Sequence, residues 1–140
     1  MIYLDSCVVI QLIEADDRLR RSVRESISPY LAHGIAISEL TRLECRVHPM
    51  AHQQSVILKQ YDIFFSQPEI RSIPFSVDVW ELATRLRAQY ALKTPDALHL
   101  AAASHGRCKT FCTCDRQLAR AAEQMMNTLI PTPLQGDDDV

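Results

Sequence analysis

Little in this sequence favours looseness. It has 3 Gly and 7 Pro in 140 residues, which argues against long flexible linkers and for one compact domain. No apolar run is long enough to cross a bilayer, so no membrane partner is expected. A net charge of −2 gives no overall basic excess of the kind that marks a nucleic-acid binder. Paired CxxC knuckles are absent too. The five cysteines, Cys7, Cys45, Cys108, Cys112 and Cys114, are odd in number and irregular in spacing, unlike a zinc ribbon or a disulfide framework. No secretory leader precedes them, since "MIYLD" puts an acid at position 5. The expected setting is a reducing cytoplasm, with free buried thiols. Cys112 and Cys114 fall two apart on an expected strand and read as core packing. His48 and His52, four apart, lack a third ligand in register and read as a surface pair.

What is present is a core and a pattern. Apolar residues make up 47% of the chain and charged ones 23%, ordinary for a globular domain. Residues 1–134 read as that domain and 135–140 as an acidic tail containing Asp137, Asp138 and Asp139. Setting aside those three and the four acids discussed below leaves ten acids against fifteen Lys and Arg, a basic remainder. Its densest run, Arg18, Arg20, Arg21 and Arg24, is either a solvated helix face or a phosphate-attracting rim.

Strands are expected at 2–4, 35–38, 69–75, 109–114 and 127–131. Between them, residues 6–14 are too uniformly apolar to show a period. Helices are expected at 16–32 (interrupted at Pro29), 39–47 (closed by His48-Pro49), 51–65, 77–90 (capped by Ser76), 93–106 and 116–125. Thr94 reads as the cap of the helix at 93–106, Pro95 as its first turn and Gly106 as its end. Strands alternating with helices imply an α/β fold with a central, mostly parallel sheet of four to five strands and helices on both faces. In such sheets ligands bind beyond the carboxyl ends of the strands.

Asp5 and Asp115 each stand at such an end. Asp96 opens the helix of "DALHLAAA", and Glu44 lies on the helix after the second strand. Each has a bland explanation: Asp5, Asp96 and Asp115 as caps or first-turn acids, Glu44 as the partner of Thr41 in a capping box. Together they can face one crevice. Crowded carboxylates repel, and they stay ionised only if a cation compensates. An all-oxygen set without His or Cys suits Mg²⁺ or Mn²⁺ rather than zinc.

"MIYLDSCVVI", "ISELTRLECR", "KTPDALHLAAA" and "FCTCDRQL", in that order and spacing, resemble the PIN-domain ribonucleases, and within them the VapC-type toxins of bacterial toxin–antitoxin pairs. The resemblance spans nearly the whole chain and implies a PIN-like three-layer α/β/α fold. It implies that Asp5, Glu44, Asp96 and Asp115 are the metal-binding and catalytic acids of an Mg²⁺- or Mn²⁺-dependent endoribonuclease, with RNA as substrate. It further implies a cognate antitoxin partner and a homodimer. Ser6 and Thr113 fall where the family often places a hydroxyl beside the acids, or are ordinary capping and strand residues. Arg42, Arg46 and Arg116 are near enough in sequence to touch RNA phosphate, or equally to form structural ion pairs. Gln117 stands where many relatives carry a further acid, which puts a five-acid, two-metal site in doubt. Glu39 is a weaker alternative to Glu44, because five residues of helix turn the two apart. His99, one turn after Asp96, is within reach of the site but reads better as a packed core histidine. Two other readings stay open. One is a non-catalytic PIN-like RNA-binding module. The other is an aspartate-nucleophile phosphotransfer protein, which would want an acid at position 7, where Cys7 stands.

Overall fold

A computed structural model describes residues 1–131; the acidic tail lies outside the described residues. Five strands form one sheet: β1 (Ile2–Leu4), β2 (Ile35–Ser38), β3 (Ile70–Ile73), β4 (Thr110–Cys112) and β5 (Asn127–Leu129). Their order is β3-β2-β1-β4-β5, and every pairing is parallel. Between them run α1 (Ser6–Glu14), α2 (Asp17–Ile27), a 3-10 helix (Ser28–His33), α3 (Glu39–Ala51), α4 (Ser55–Phe65), α5 (Val77–Tyr90), α6 (Thr94–His105) and α7 (Arg116–Ala122).

The strands are short and the three central ones, β2, β1 and β4, are buried, so alternation along them divides the core in two. Tyr3, Ala36 and Phe111 face one side and pack against α5, α6 and α7. Ile2, Leu4, Ile35, Ile37 and Cys112 face the other and pack against α1, α2, Cys45 of α3 and Tyr61 of α4. This is the three-layer α/β/α arrangement expected from the sequence. Register puts Tyr3 beside Phe111, and their rings stack at 5.5 Å. α6 is buried continuously from Ala97 to Ala103, which explains its lack of a polar face. Truncating Leu98 or Leu100 there would cost about 2–5 kcal/mol.

Several boundaries differ from the sequence expectations. The apolar run 6–14 is a helix, α1, because Asp5 caps it and Val8, Val9 and Leu12 bury one face. α2 stops at Ile27, and the 3-10 helix starts at Ser28 with Pro29 in its first turn. α3 does not close at His48-Pro49. It runs to Ala51 with Pro49 in its last turns, where losing one backbone donor costs less than in mid-helix. Consequently the next helix begins at Ser55, not at 51. Thr41 bonds back to the Ser38 backbone N–H (3.1 Å), so the capping box excludes Glu44. Thr94 is the first helical residue rather than the cap, and its hydroxyl accepts from Arg87 (2.9 Å). β3 and β4 are shorter than expected, and α7 ends at Ala122. β4 stops at Cys112, so Cys114 leaves the strand and is only partly buried, as is Cys7. The core-packing reading therefore holds for Cys112 and not for Cys114.

The chain builds strands 1, 2 and 3 outward in one direction, then crosses to place β4 on the other side of β1. The direction of winding thus reverses between β1 and β4. A crevice opens at the carboxyl ends of the strands at such a reversal. Asp5 follows β1 directly, and Thr113, Cys114 and Asp115 follow β4.

Candidate functional site

Asp5, Ser6, Cys7, Glu44, Asp96, Cys114 and Asp115 line one cavity of about 360 Å³. All four acids singled out in the sequence thus face a common space, though they come from four separate segments.

Asp5 is the most constrained of the four. Its Oδ1 caps α1 through the Ser6 backbone N–H (2.8 Å), and its Oδ2 accepts from the Thr113 hydroxyl (2.8 Å). Thr113 is fully buried, and its oxygen also accepts the backbone N–H of Asp115 (3.1 Å). One hydroxyl therefore ties the two strand-end acids together. Asp115 caps α7, its Oδ1 accepting from the N–H groups of Gln117 (2.8 Å) and Leu118 (3.2 Å). The capping and site readings of these two acids are not exclusive, because a cap fixes where a carboxylate points.

Asp96 sits half-buried in the first turn of α6, just after Pro95. Its carboxyl is pushed above the ordinary carboxylate range, first by burial and then by the charges of Asp5 and Asp115; His99 pulls it back and Glu44 adds a further push. The repulsion expected of a carboxylate cluster is thus present, and three other acids generate it.

Glu44 behaves differently. Burial raises its carboxyl, but bonds from His99 and Ser6 and the charge of His99 outweigh this, and the net shift is downward. Ser6 donates to Glu44 Oε1 (2.7 Å), and His99 Nε2 lies 2.5 Å from the same oxygen. That nitrogen is also 3.5 Å from Asp5 Oδ1, and Nδ1 of the same ring is 2.7 Å from the Tyr3 hydroxyl. Tyr3 in turn donates to Ser38 (2.9 Å). His99 is 1% exposed, so it is a core histidine, but its ring reaches the site as well. Preferring the packed reading over the site reading missed this double role. The available signal was the one-turn offset from Asp96, which brings a side chain back over the same end of α6.

The arginines are placed less favourably. Arg42 and Arg46 do not join the acids. They line a separate groove of about 400 Å³ and pair with Glu39 (2.9 Å) and Asp62 (3.0 Å). On α3, residues 42 and 46 lie about 200° round from residue 44 at 100° per residue, so they face away from it. Arg116 follows Asp115 directly, is exposed, and does not line the acidic cavity. Glu39, the alternative acid, also belongs to the arginine groove. None of the basic residues 18–24 of α2 lines the acidic cavity.

Would these residues suit a divalent cation? Among the described residues, no three His, Cys, Asp or Glu side chains form a ready-made cage. Mg²⁺ does not need one, because it is held by one or two carboxylates and keeps waters and substrate oxygens in its other positions. The donor set is hard oxygen, Asp96 is strained by its neighbours, and none of the four acids is paired with Lys or Arg among the described residues. The residues fit such an ion, with Asp5, Asp96 and Asp115 as donors. Glu44 is partly occupied by Ser6 and His99.

Comparison with known proteins places the chain in a family and a fold. The PIN domain family matches residues 2–124. No curated protein matches significantly. Among solved structures, the chain is similar to VapBC2 from Rickettsia felis bound to a DNA fragment from their promoter (19% identity, 92% of this chain and 99% of that chain, TM-score 0.74). It is also similar to FitAcB from Neisseria gonorrhoeae (18% identity, 97% and 100% covered, TM-score 0.73). A third is FitAB bound to the IR36 DNA fragment (16% identity, 98% and 99% covered, TM-score 0.74). At these identities the likeness concerns the fold.

Proposed function

The chain belongs to the PIN-domain family, and from that premise we propose that it is a divalent-cation-dependent endoribonuclease, the toxin of a toxin–antitoxin pair. The observation that carries the reading is geometric: Asp5, Glu44, Asp96 and Asp115 line one cavity with no Lys or Arg partner among the described residues, and the Asp96 carboxyl is raised there, first by burial and then by the charges of Asp5 and Asp115. A non-catalytic module would have no need to maintain that repulsion.

In this reading Asp5, Asp96 and Asp115 hold Mg²⁺ or Mn²⁺. When bound, the ion supplies charge neutralisation on an RNA phosphodiester and lowers the pKa of a water that attacks phosphorus. The protein's own groups do the rest. Thr113 fixes Asp5 relative to Asp115, so the two strand-end carboxylates approach the scissile phosphate at a set separation. Ser6 and His99 keep Glu44 ionised and oriented through Oε1, which leaves Oε2 to accept a hydrogen bond from the attacking water or to take its proton. Tyr3 orients the His99 ring from behind. Arg116, next to Asp115 and exposed, is the arginine of the three best placed to meet the RNA backbone.

The likeness to VapBC2 and FitAB supports a cognate antitoxin partner for this chain; assembly as a homodimer and a cytoplasmic setting belong to the same proposal and rest on the sequence reading. No helix among the described residues is long and apolar enough to cross a membrane. The test is RNA cleavage by purified protein, with and without chelator, beside Asp5→Asn prepared identically. Cleavage that requires Mg²⁺ or Mn²⁺ and disappears in the variant is expected. Equal cleavage by both proteins would refute the site. RNA binding without cleavage under any metal would favour the binding-module reading.

A further inference from the structure

Two side chains of the acidic cavity have no part in this mechanism, Cys7 and Cys114. They are 107 residues apart in sequence, yet the backbone N–H of Cys114 donates to Cys7 Sγ at 3.1 Å. Both are partly exposed, and both line the cavity. Cys45, Cys108 and Cys112 are buried. The pair spans the two segments that carry the strand-end acids: Cys7 is in the first turn of α1, two residues after Asp5, and Cys114 directly precedes Asp115. The S–H of Cys7 also points at Asp5 Oδ2, 3.6 Å away.

We propose that Cys7 and Cys114 form an oxidation site whose disulfide reshapes the cation-holding cavity. The co-reactant is a peroxide. One thiol sulfur attacks the O–O bond of hydrogen peroxide; an S–O bond forms, the O–O bond breaks, and the released hydroxide leaves as water with the thiol proton. The second sulfur attacks that sulfenic acid; the S–S bond forms, the S–O bond breaks, and a second water leaves with the second thiol proton. Two electrons pass from sulfur to the peroxide, and a thiol reductant reverses the change. A disulfide holds its sulfurs about 2.05 Å apart, so closing it re-aims the Cys7 sulfur from the Cys114 N–H to the Cys114 sulfur and ties the start of α1 to the β4–α7 loop. The bridge also removes the S–H that faces Asp5. Outer-sphere partners of metal-binding carboxylates typically change metal affinity about 10–100-fold when lost. The oxidised protein therefore binds the cation more weakly, and the consequence for cleavage rests on the function proposed above.

The experiment treats the reduced protein with hydrogen peroxide. Peptide mass mapping reads which cysteines are joined, and calorimetric titration with Mn²⁺ reads both redox states. A peptide pair joining Cys7 to Cys114, in preference to any involving the three buried thiols, is expected, with Mn²⁺ affinity about tenfold or more lower and restored by reductant. Cys7→Ser and Cys114→Ser, made separately, should each abolish the joined peptide. Absence of that peptide in the wild-type chain overturns the proposal, as does a joined chain with undiminished Mn²⁺ affinity. A chain that forms the bridge but binds Mn²⁺ in neither state leaves the oxidation site standing and contradicts the proposed metal centre, so the two failures are distinguishable.

Discussion

Two clefts lie on opposite sides of α3, and they handle negative charge in opposite ways. In the groove lined by Glu39, Arg42, Arg46, Asp62 and Phe65, each acid has its own arginine, and the Arg42 guanidinium also sits 5.8 Å over the Phe65 ring. Those charges are compensated within the protein, and such exposed pairs contribute little to stability. In the cavity of Asp5, Glu44, Asp96 and Asp115, none of the acids has a Lys or Arg partner among the described residues; a single buried histidine touches Glu44 and Asp5. The first cleft is electrostatically complete, and the second is complete only with something added. The presence of acids alone does not mark a site, because both clefts contain them. What distinguishes them is whether the fold supplies the counter-charge.

That contrast can be broken in several ways. Asp5→Asn should have the largest effect: RNA cleavage falls by about a hundredfold or more, as expected if several kcal/mol of transition-state stabilisation depend on the carboxylate, while circular dichroism stays native. Next, Mn²⁺ at about a hundred times its dissociation constant should stabilise the wild-type fold by about 2.7 kcal/mol, read as a rise in melting temperature. Asp5→Asn should show little of it, and Arg42→Ala all of it. His99→Gln or Tyr3→Phe, which disturb the Glu44 support without removing an acid, should lower cleavage about tenfold or more while Mn²⁺ affinity changes far less.

Asp96→Asn sharpens the comparison through pH. The Asp96 carboxyl is raised in the folded chain, so its ionisation disfavours the metal-free fold. That penalty is absent below the unfolded-state value, near pH ~4, and grows as pH rises through the folded value. The metal-free variant should therefore melt above the metal-free wild type at pH 7, with the gap closing toward pH ~4. A variant that melts lower at pH 7 would show that Asp96 is stabilised by its surroundings. Smallest of all, Arg46→Ala should change stability by about 1 kcal/mol or less and leave cleavage nearly unaltered, since its charge belongs to the Asp62 pair.

Much of this was legible in the chain before folding. The alternation of strands and helices implied the parallel three-layer fold, and the strand-end positions of Asp5 and Asp115 implied a shared crevice. Glu44 was separable from Glu39 by helical rotation. The same rotation, applied to Arg42 and Arg46, would have turned them away from the acids. His99 carried one local signal, its one-turn offset from Asp96, but the apolar run "DALHLAAA" favoured the packed reading, and the ring does both. The Cys7–Cys114 pair was derivable in principle. If Asp5 and Asp115 converge, residues immediately beside them converge too, but sequence spacing tests for cysteine motifs look only at neighbours along the chain. Local propensity did not foresee α3 running through Pro49, because the position of a proline within the last turns decides its cost.

The most direct measurement is diffraction from crystals grown with Mn²⁺, collected to locate manganese by its anomalous signal. The account predicts density inside the cavity against carboxylate oxygens of Asp5, Asp96 and Asp115, and none in the arginine groove. An ion bound elsewhere, or an empty cavity at millimolar Mn²⁺ with Asp96 turned out to solvent, would contradict it.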